Sequence, residues 1–454
     1  MTNTLRIALL SITAVLASFG TMYAICVGLS VNASPAVLAA ALAVGLMRRP
    51  ERLEARAVLI KFVKLPIIAV AAGLVGLALL DIPALGAVLF TGGIALSVQL
   101  RKYGARASAI GQVIALSLIS ILVVPPVHIE STQNPWLPPL LMISAGLIAL
   151  TSTVLVSWLS IRIGLASEPA EPPRIVRAPR AREGQAQLHV ATRMALQMLV
   201  AVGLAFVIGM LGFPEHWPWI VLTAFIVCSG ALGRGDAVYK GLLRLSGAIG
   251  GAFVAAVVSY IVFPNPEVYA AAVFFVLFIG IWLRQINYAY WAACATLLFA
   301  LLQDSHGTGI AWLLAIRVLC IVIGALCGVA AIWFVYPIRT EQVARKRVAD
   351  ALASLRDVLG NGPGSPEYQS SLAALDHHAA ELERVAPSVN LHWRVFGAVQ
   401  PDQHPATWIK LMHTLLAQVR KADCDRAHVG AEMRRLGAML RTQATASRDT
   451  GDSS

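Results

Sequence analysis

The sequence predicts an all-α polytopic membrane protein: about twelve transmembrane helices as two parallel six-helix repeats, then a cytoplasmic helical domain. Three observations carry this. Of 454 residues, 57% are hydrophobic and only 13% are charged, against about a quarter charged in a soluble domain. Charge-free runs recur at lengths that cross a bilayer, about 20 residues for a helix. Lys and Arg gather in alternate loops, as the positive-inside bias requires.

Residues 7–47 carry no charge and divide at the turn Asn32–Pro35 into two spans. Arg6, the apolar run and the small residues at Ala17–Ser18 outline a signal peptide, but the run is far too long for one. The remaining spans are expected near 64–80, 82–100, 107–127, 138–161, 194–212, 217–233, 243–263, 268–283, 288–303 and 310–336. One alternate set of loops holds Arg6, the cluster from Arg48 to Lys64, Arg101 to Arg106, the 162–193 linker, Arg234 with Lys240, and Arg284. The opposite loops hold Asp81, Glu130, Glu215, Glu267 and Asp304, with no Lys or Arg. Both termini are therefore expected on the cytoplasmic side, with the lipid bilayer as the first partner.

The net charge of +12 does not imply a nucleic-acid partner. Residues 1–337 hold 21 Lys and Arg against 11 Asp and Glu, while 338–454 hold 15 against 13. The excess lies where topology puts it.

The chain also repeats itself. TLRIALL at 4–10 matches ATRMALQ at 191–197, and PAVLAAALAV at 35–44 matches PWIVLTAFIV at 218–227. Gln99-Leu100-Arg101 matches Trp282-Leu283-Arg284, and Trp158 to Arg162 matches Trp333 to Arg339 more loosely. An even number of spans per copy implies a parallel repeat about an axis along the membrane normal. The first repeat is expected at 1–161, a Pro- and Arg-rich cytoplasmic linker at 162–193, and the second repeat at 194–337. Beyond Tyr336-Pro337 the composition turns polar, with helical periodicity in four segments. These predict a cytoplasmic helical domain at 338–445, with a disordered tail at 446–454.

Arg317 is the most informative residue. It lies about two turns inside an apolar run with no acidic neighbour, where a charge costs about 2.5–3.5 kcal/mol on insertion scales. It points to a water-filled path or a bound anion, against the plainer reading of an Arg reaching out to the interface. Arg244 repeats the arrangement: each Arg stands seven residues before a glycine, Gly251 and Gly324. Gly247 with Gly251, and Gly324 with Gly328, form G-x-x-x-G pairs that let helices approach closely. Trp217, Trp219, Tyr290 and Trp291 stand at span ends, where an interfacial belt is the default and substrate stacking the sharper reading. Arg284 and Gln303 add polar groups to a hairpin of two short spans, a feature of transporter binding sites.

No catalytic chemistry is visible. No span holds a central Asp or Glu, and no Walker loop, G-x-S-x-G, H-E-x-x-H or carboxylate pair appears. The six Cys form no C-x-x-C, and the adjacent His377 and His378 point to different sides of a helix. No enzyme activity, cofactor or metal is expected.

Several of these motifs together resemble the fusaric acid resistance and aromatic acid exporter family, whose relatives include plant malate channels. The resemblance rests on Trp217-Pro218-Trp219, the basic loop 234–244, the Arg244/Gly247/Gly251 span, Tyr290-Trp291, Arg317 with Gly324, and Tyr336-Pro337. It covers about 190–340; the first half reads as a diverged copy that lacks the Trp entry and the intramembrane Arg. It implies an inner-membrane exporter of small organic anions, above all aromatic carboxylates, sometimes working with a periplasmic adaptor protein. An anion channel, or a membrane scaffold whose cytoplasmic helices bind a partner, are the alternatives, and a homo-oligomer is compatible with each.

Overall fold

The computed structural model describes residues 2–47, 55–123, 137–165, 189–231, 233–258, 266–302, 310–337, 340–361, 366–396, 404–419 and 426–449. Every regular element among them is helical. In chain order these are α1 (Thr2–Gly28), α2 (Ser34–Leu46), α3 (Ala55–Asp81), α4 (Pro83–Gln99), α5 (Ala105–Val123) and α6 (Leu137–Arg162). Then come α7 (Val190–Gly212), α8 (Trp217–Cys228), α9 (Arg234–Val258), α10 (Pro266–Leu283), α11 (Tyr288–Leu302) and α12 (Ile310–Phe334). The last four are α13 (Thr340–Gly360), α14 (Pro366–Phe396), α15 (Pro405–Val419) and α16 (Arg426–Asp449).

Local chemistry sets several starts. Proline stands in the first turn of α2, α4 and α8, where its missing N–H leaves nothing unpaired. The Nδ1 of His189 accepts the Ala191 N–H at 3.2 Å and caps α7. This starts α7 before the expected position 194.

Six helical stretches are long and apolar enough to cross a membrane: Thr4–Gly28, Pro83–Tyr103, Pro139–Arg162, Val190–Gly212, Arg234–Val258 and Leu314–Phe334. Shorter apolar helices stand at the other expected spans, among them α8 with 12 residues. A helix of that length reaches about 18 Å, well under the roughly 30 Å hydrocarbon core. The chain is a membrane protein with several apolar helices, six of them long and apolar enough to cross a bilayer.

The chain divides into two compact units. The first takes Met1–Ala170, Leu188–Ser229 and Gly241–Ala331. Within it α1 packs on α2 and α6, α3 on α4, α5 and α6, α7 on α8, and α10 on α11. Three helix pairs tie the first six helices to the next six: α1 with α10, α4 with α7, and α5 with α8. Counted within each six, the first two are each a first helix against a fourth, and the third is a fifth against a second. The close crossings agree. A Cβ on Gly111 of α5 would overlap the carbonyl oxygen of Ser97 on α4, and one on Gly280 of α10 would lie 2.9 Å from the Cβ of Cys294 on α11. The shift that carries Gln99 onto Trp282 carries Ser97 onto Gly280 and Gly111 onto Cys294.

The second unit takes Ile332–Ser454 together with Gly230–Lys240. The core of α13–α16 is built on Leu355, Leu382, Trp408, Met412, Leu415 and Leu436, all buried. Arg347 on α13 pairs with Glu381 on α14 at 2.6 Å. The sequence places this domain at 338–445 alone, but the start of α9 belongs to the same unit. Gly235 N–H donates to the Thr340 hydroxyl at 2.9 Å, and Arg234 donates to the Trp333 carbonyl at 3.1 Å while lying over the Trp333 ring.

One helix of this domain passes a proline, and one boundary departs from the sequence reading. α14 continues through Pro387 to Phe396. Val385, Ser388 and Val389 are all buried, and packing them offsets the backbone bond that proline removes. The tail expected to be disordered from 446 is helical as far as Asp449, because nothing in Ala444–Asp449 breaks the helix that Leu436 and Leu440 anchor. Gln303 and Cys424 lie outside the described residues.

Candidate functional site

Arg317 and Arg244 are both buried, at 4% and 3% exposure. Four helices of the first unit surround them. Gly324 and Gly328 bring α12 onto α8: a Cβ on Gly324 would overlap the Ile220 carbonyl oxygen, and one on Gly328 would lie 2.9 Å from Val227. Gly247 and Gly251 bring α9 onto α11, where a Cβ would overlap the carbonyl oxygens of Ala289 and Ala293. Gly241 of α9 lies beside Ala325 of α12. Trp219 of α8 meets Phe299 of α11 edge to face, with centroids 4.7 Å apart. The two glycine pairs do not pack on each other. Each seats its own Arg-bearing helix on a different neighbour.

The guanidinium of Arg317 sits in the corner made by those two rings, 3.9 Å from the Trp219 centroid and 4.7 Å from that of Phe299. The rings stand at 76° to each other, so one cation borrows the negative faces of both. This attraction does not satisfy its hydrogen bonds. Nε and Nη2 of Arg317 are buried with no partner among the described residues, and so is Nε of Arg244. The first two lie on one edge of the guanidinium, the edge that meets a carboxylate with two parallel N–H···O bonds. Arg317 also feels the charge of Arg244. Two cations in a low-dielectric setting, with donors unfilled, are unfavourable until an anion joins them.

Thr223 of α8 stands against Gly324 of α12, two turns beyond Arg317. The Thr223 hydroxyl, one turn beyond Trp219 on α8, is fully buried and has no partner among the described residues. On α11, the Thr296 hydroxyl one turn before Phe299 is occupied, bonding the Ala292 carbonyl at 2.9 Å.

The other expected residues fall elsewhere. Trp217 packs on Phe206 of α7 at 5.3 Å between centroids and closes over Gly209. Arg284 lies over Trp291, 5.5 Å from its centroid, in a second aromatic cluster with α1 and α2 residues. Tyr290 is exposed at 49%. Of the aromatic residues singled out in the sequence, Trp219 reaches Arg317. Phe299 and Thr223 were missed, since each stands in an unbroken apolar run with nothing to mark it. The only signal for Thr223 is its one-turn spacing from Trp219.

A fusaric acid resistance protein-like family model matches residues 199–331. No curated protein matches the chain, and no solved structure does. The match holds most of α7, all of α8 to α11 and most of α12, so the buried arginine pair and the rings around it stand inside the matched region.

Proposed function

We propose that the protein is an inner-membrane exporter of small organic anions, aromatic carboxylates above all. Arg317 takes the carboxylate on its free Nε and Nη2 edge. Trp219 and Phe299 hold that edge in place and offer ring faces to an aromatic body. Arg244 adds positive potential to the path. The observation that carries this is the buried, partly unpaired Arg317 in an aromatic corner.

In this reading α1–α12 form two parallel six-helix repeats, and both chain termini are cytoplasmic. The pairing of α1 with α10 and of α4 with α7 supports the repeat, as do the matched crossings at Ser97/Gly111 and Gly280/Cys294. The short α8 supports a binding site at its level, since interrupted helices frame substrates in transporters.

Export needs no carboxylate proton relay. An inside-negative potential acts on a monovalent anion with about 2.3 kcal/mol per 100 mV, roughly a 50-fold outward bias. The test is efflux of a loaded aromatic acid from proteoliposomes under an imposed potential. Flux should rise with potential and fall with Arg317→Ala. Flux that ignores voltage, or that survives the substitution unchanged, rejects the mechanism. Truncation at Pro337 should leave most of the flux in place. If it removes binding of a protein partner and the chain carries no flux, the scaffold reading wins.

A further inference from the structure

The first six helices hold a half-open cavity of about 50 Å³ between α2, α3, α5 and α6. Its walls include Leu42, Gly73, Gly76, Ser117, Ser120 and Met142, and no charged residue lines it. On the repeat reading these helices correspond to α8, α9, α11 and α12, the four around the arginine pair. The shift that carries Trp158 to Trp333 carries Met142 to Arg317, and the shift that carries Pro35 to Pro218 carries Ala36 to Trp219. A thioether thus stands where the second half has its guanidinium, and a methyl where it has its indole.

Two glycines keep this space open. At Gly247 and Gly324 a Cβ would collide with a neighbouring helix, so close approach explains the glycine. At Gly73 and Gly76 it would not. A Cβ on Gly73 would lie 3.5 Å from the Met142 sulfur, and one on Gly76 would lie 3.6 Å from Cγ2 of Ile121, both ordinary contacts. Both glycines are inside α3, and neither has a positive φ. Alanine is the better helix former at such positions. What the glycines supply there is room.

Water is a poor occupant. A water ordered there needs two to four polar partners. The polar side chains on the wall are Ser117 and Ser120, and the Ser120 hydroxyl already donates to the Ser117 carbonyl at 2.7 Å. We infer that this cavity is a second ligand site, for an uncharged hydrocarbon-like group a few carbons long. A small free apolar molecule and the end of a lipid acyl chain share that chemistry.

The test uses the full-length protein in detergent, with xenon under pressure as the probe. Wild type should melt higher under xenon. Gly73→Ala/Gly76→Ala should melt higher than wild type without xenon, and should lose the xenon response. Lipid that co-purifies with wild type and is lost from the double variant assigns the site to an acyl chain. Equal lipid content in both, with the xenon response lost, assigns it to a small free molecule. A wild type without a xenon response, a response retained in the variant, or a variant that melts lower than wild type overturns the proposal. None of these readouts depends on anion flux, so failure here leaves the Arg317 reading standing.

Discussion

The guanidinium of Arg317 lies 3.9 Å from the ring centroid of Trp219, which places a cation from one helix over an indole from another. In the sequence the two residues are far apart and each has an ordinary explanation, an interfacial Arg and an interfacial Trp. Together, and with Phe299 on the third side, they hold a charged edge in a buried aromatic corner.

Arg317→Ala should abolish specific transport, while Arg317→Lys should keep the charge and lose most of the flux. Lysine has no planar fork and does not stack on the rings. Hydrogen bonds to charged groups contribute about 1.5–3 kcal/mol, so half-saturation for a benzoate-like acid should weaken by roughly ten- to a hundredfold in the Lys variant. Uptake of labelled acid into proteoliposomes at graded concentrations reads this. Equal half-saturation in Lys and wild type would remove the bidentate role.

Phe299→Leu keeps an apolar side chain and removes one ring from the corner. Aromatic pairs contribute about 0.5–1.5 kcal/mol beyond their area burial. If the ring also meets the substrate, the preference for aromatic over aliphatic acids should fall roughly two- to tenfold. Competition between the two acid classes measures it directly. An unchanged ratio with unchanged affinity would make Phe299 a plain packing residue.

Gly247→Leu and Gly324→Leu should each lower the melting temperature in detergent, because the new side chain meets backbone of α11 or α8. Overpacking costs typically about 1–3 kcal/mol, more where backbone must move. Gly250→Leu is the control, since nothing lies within 4 Å of a Cβ there. If all three variants melt alike, these glycines do not set the helix spacing.

His378 on α14 provides a pH test of the helical domain. Burial pushes its pKa below the usual histidine value, against the opposing pull of Asp350, with His377 and Arg347 lowering it further and Glu381 raising it. The unfolded chain therefore binds this proton first. The contribution of neutral His378 to stability is present above the ordinary value of about 6.5 and is lost as pH falls through the depressed one. Thermal melts of wild type between pH 5 and 7.5 should rise with pH. His378→Gln should flatten part of that slope, and an identical slope in both proteins would reject the assignment.

The sequence by itself determined the membrane class, because absence of charge over a span length is a property of composition that no packing can reverse. It marked the Arg-plus-glycine helices too, because a charge in an apolar run is visible without neighbours. It also placed every apolar helix near its position, although composition alone started the disordered tail before the end of α16. Tertiary structure alone decided which helix each glycine pair serves. It brought Trp219 to Arg317 and left Trp217 and Tyr290 elsewhere. It supplied Phe299, and it opened a cavity at Gly73 and Gly76. The reason is common to all of these: where neighbouring helices are apolar nearly all round, as in α1–α12, one-dimensional pattern does not say which face meets which neighbour. That is settled by close helix crossings, and residues from four separate helices become one site only there.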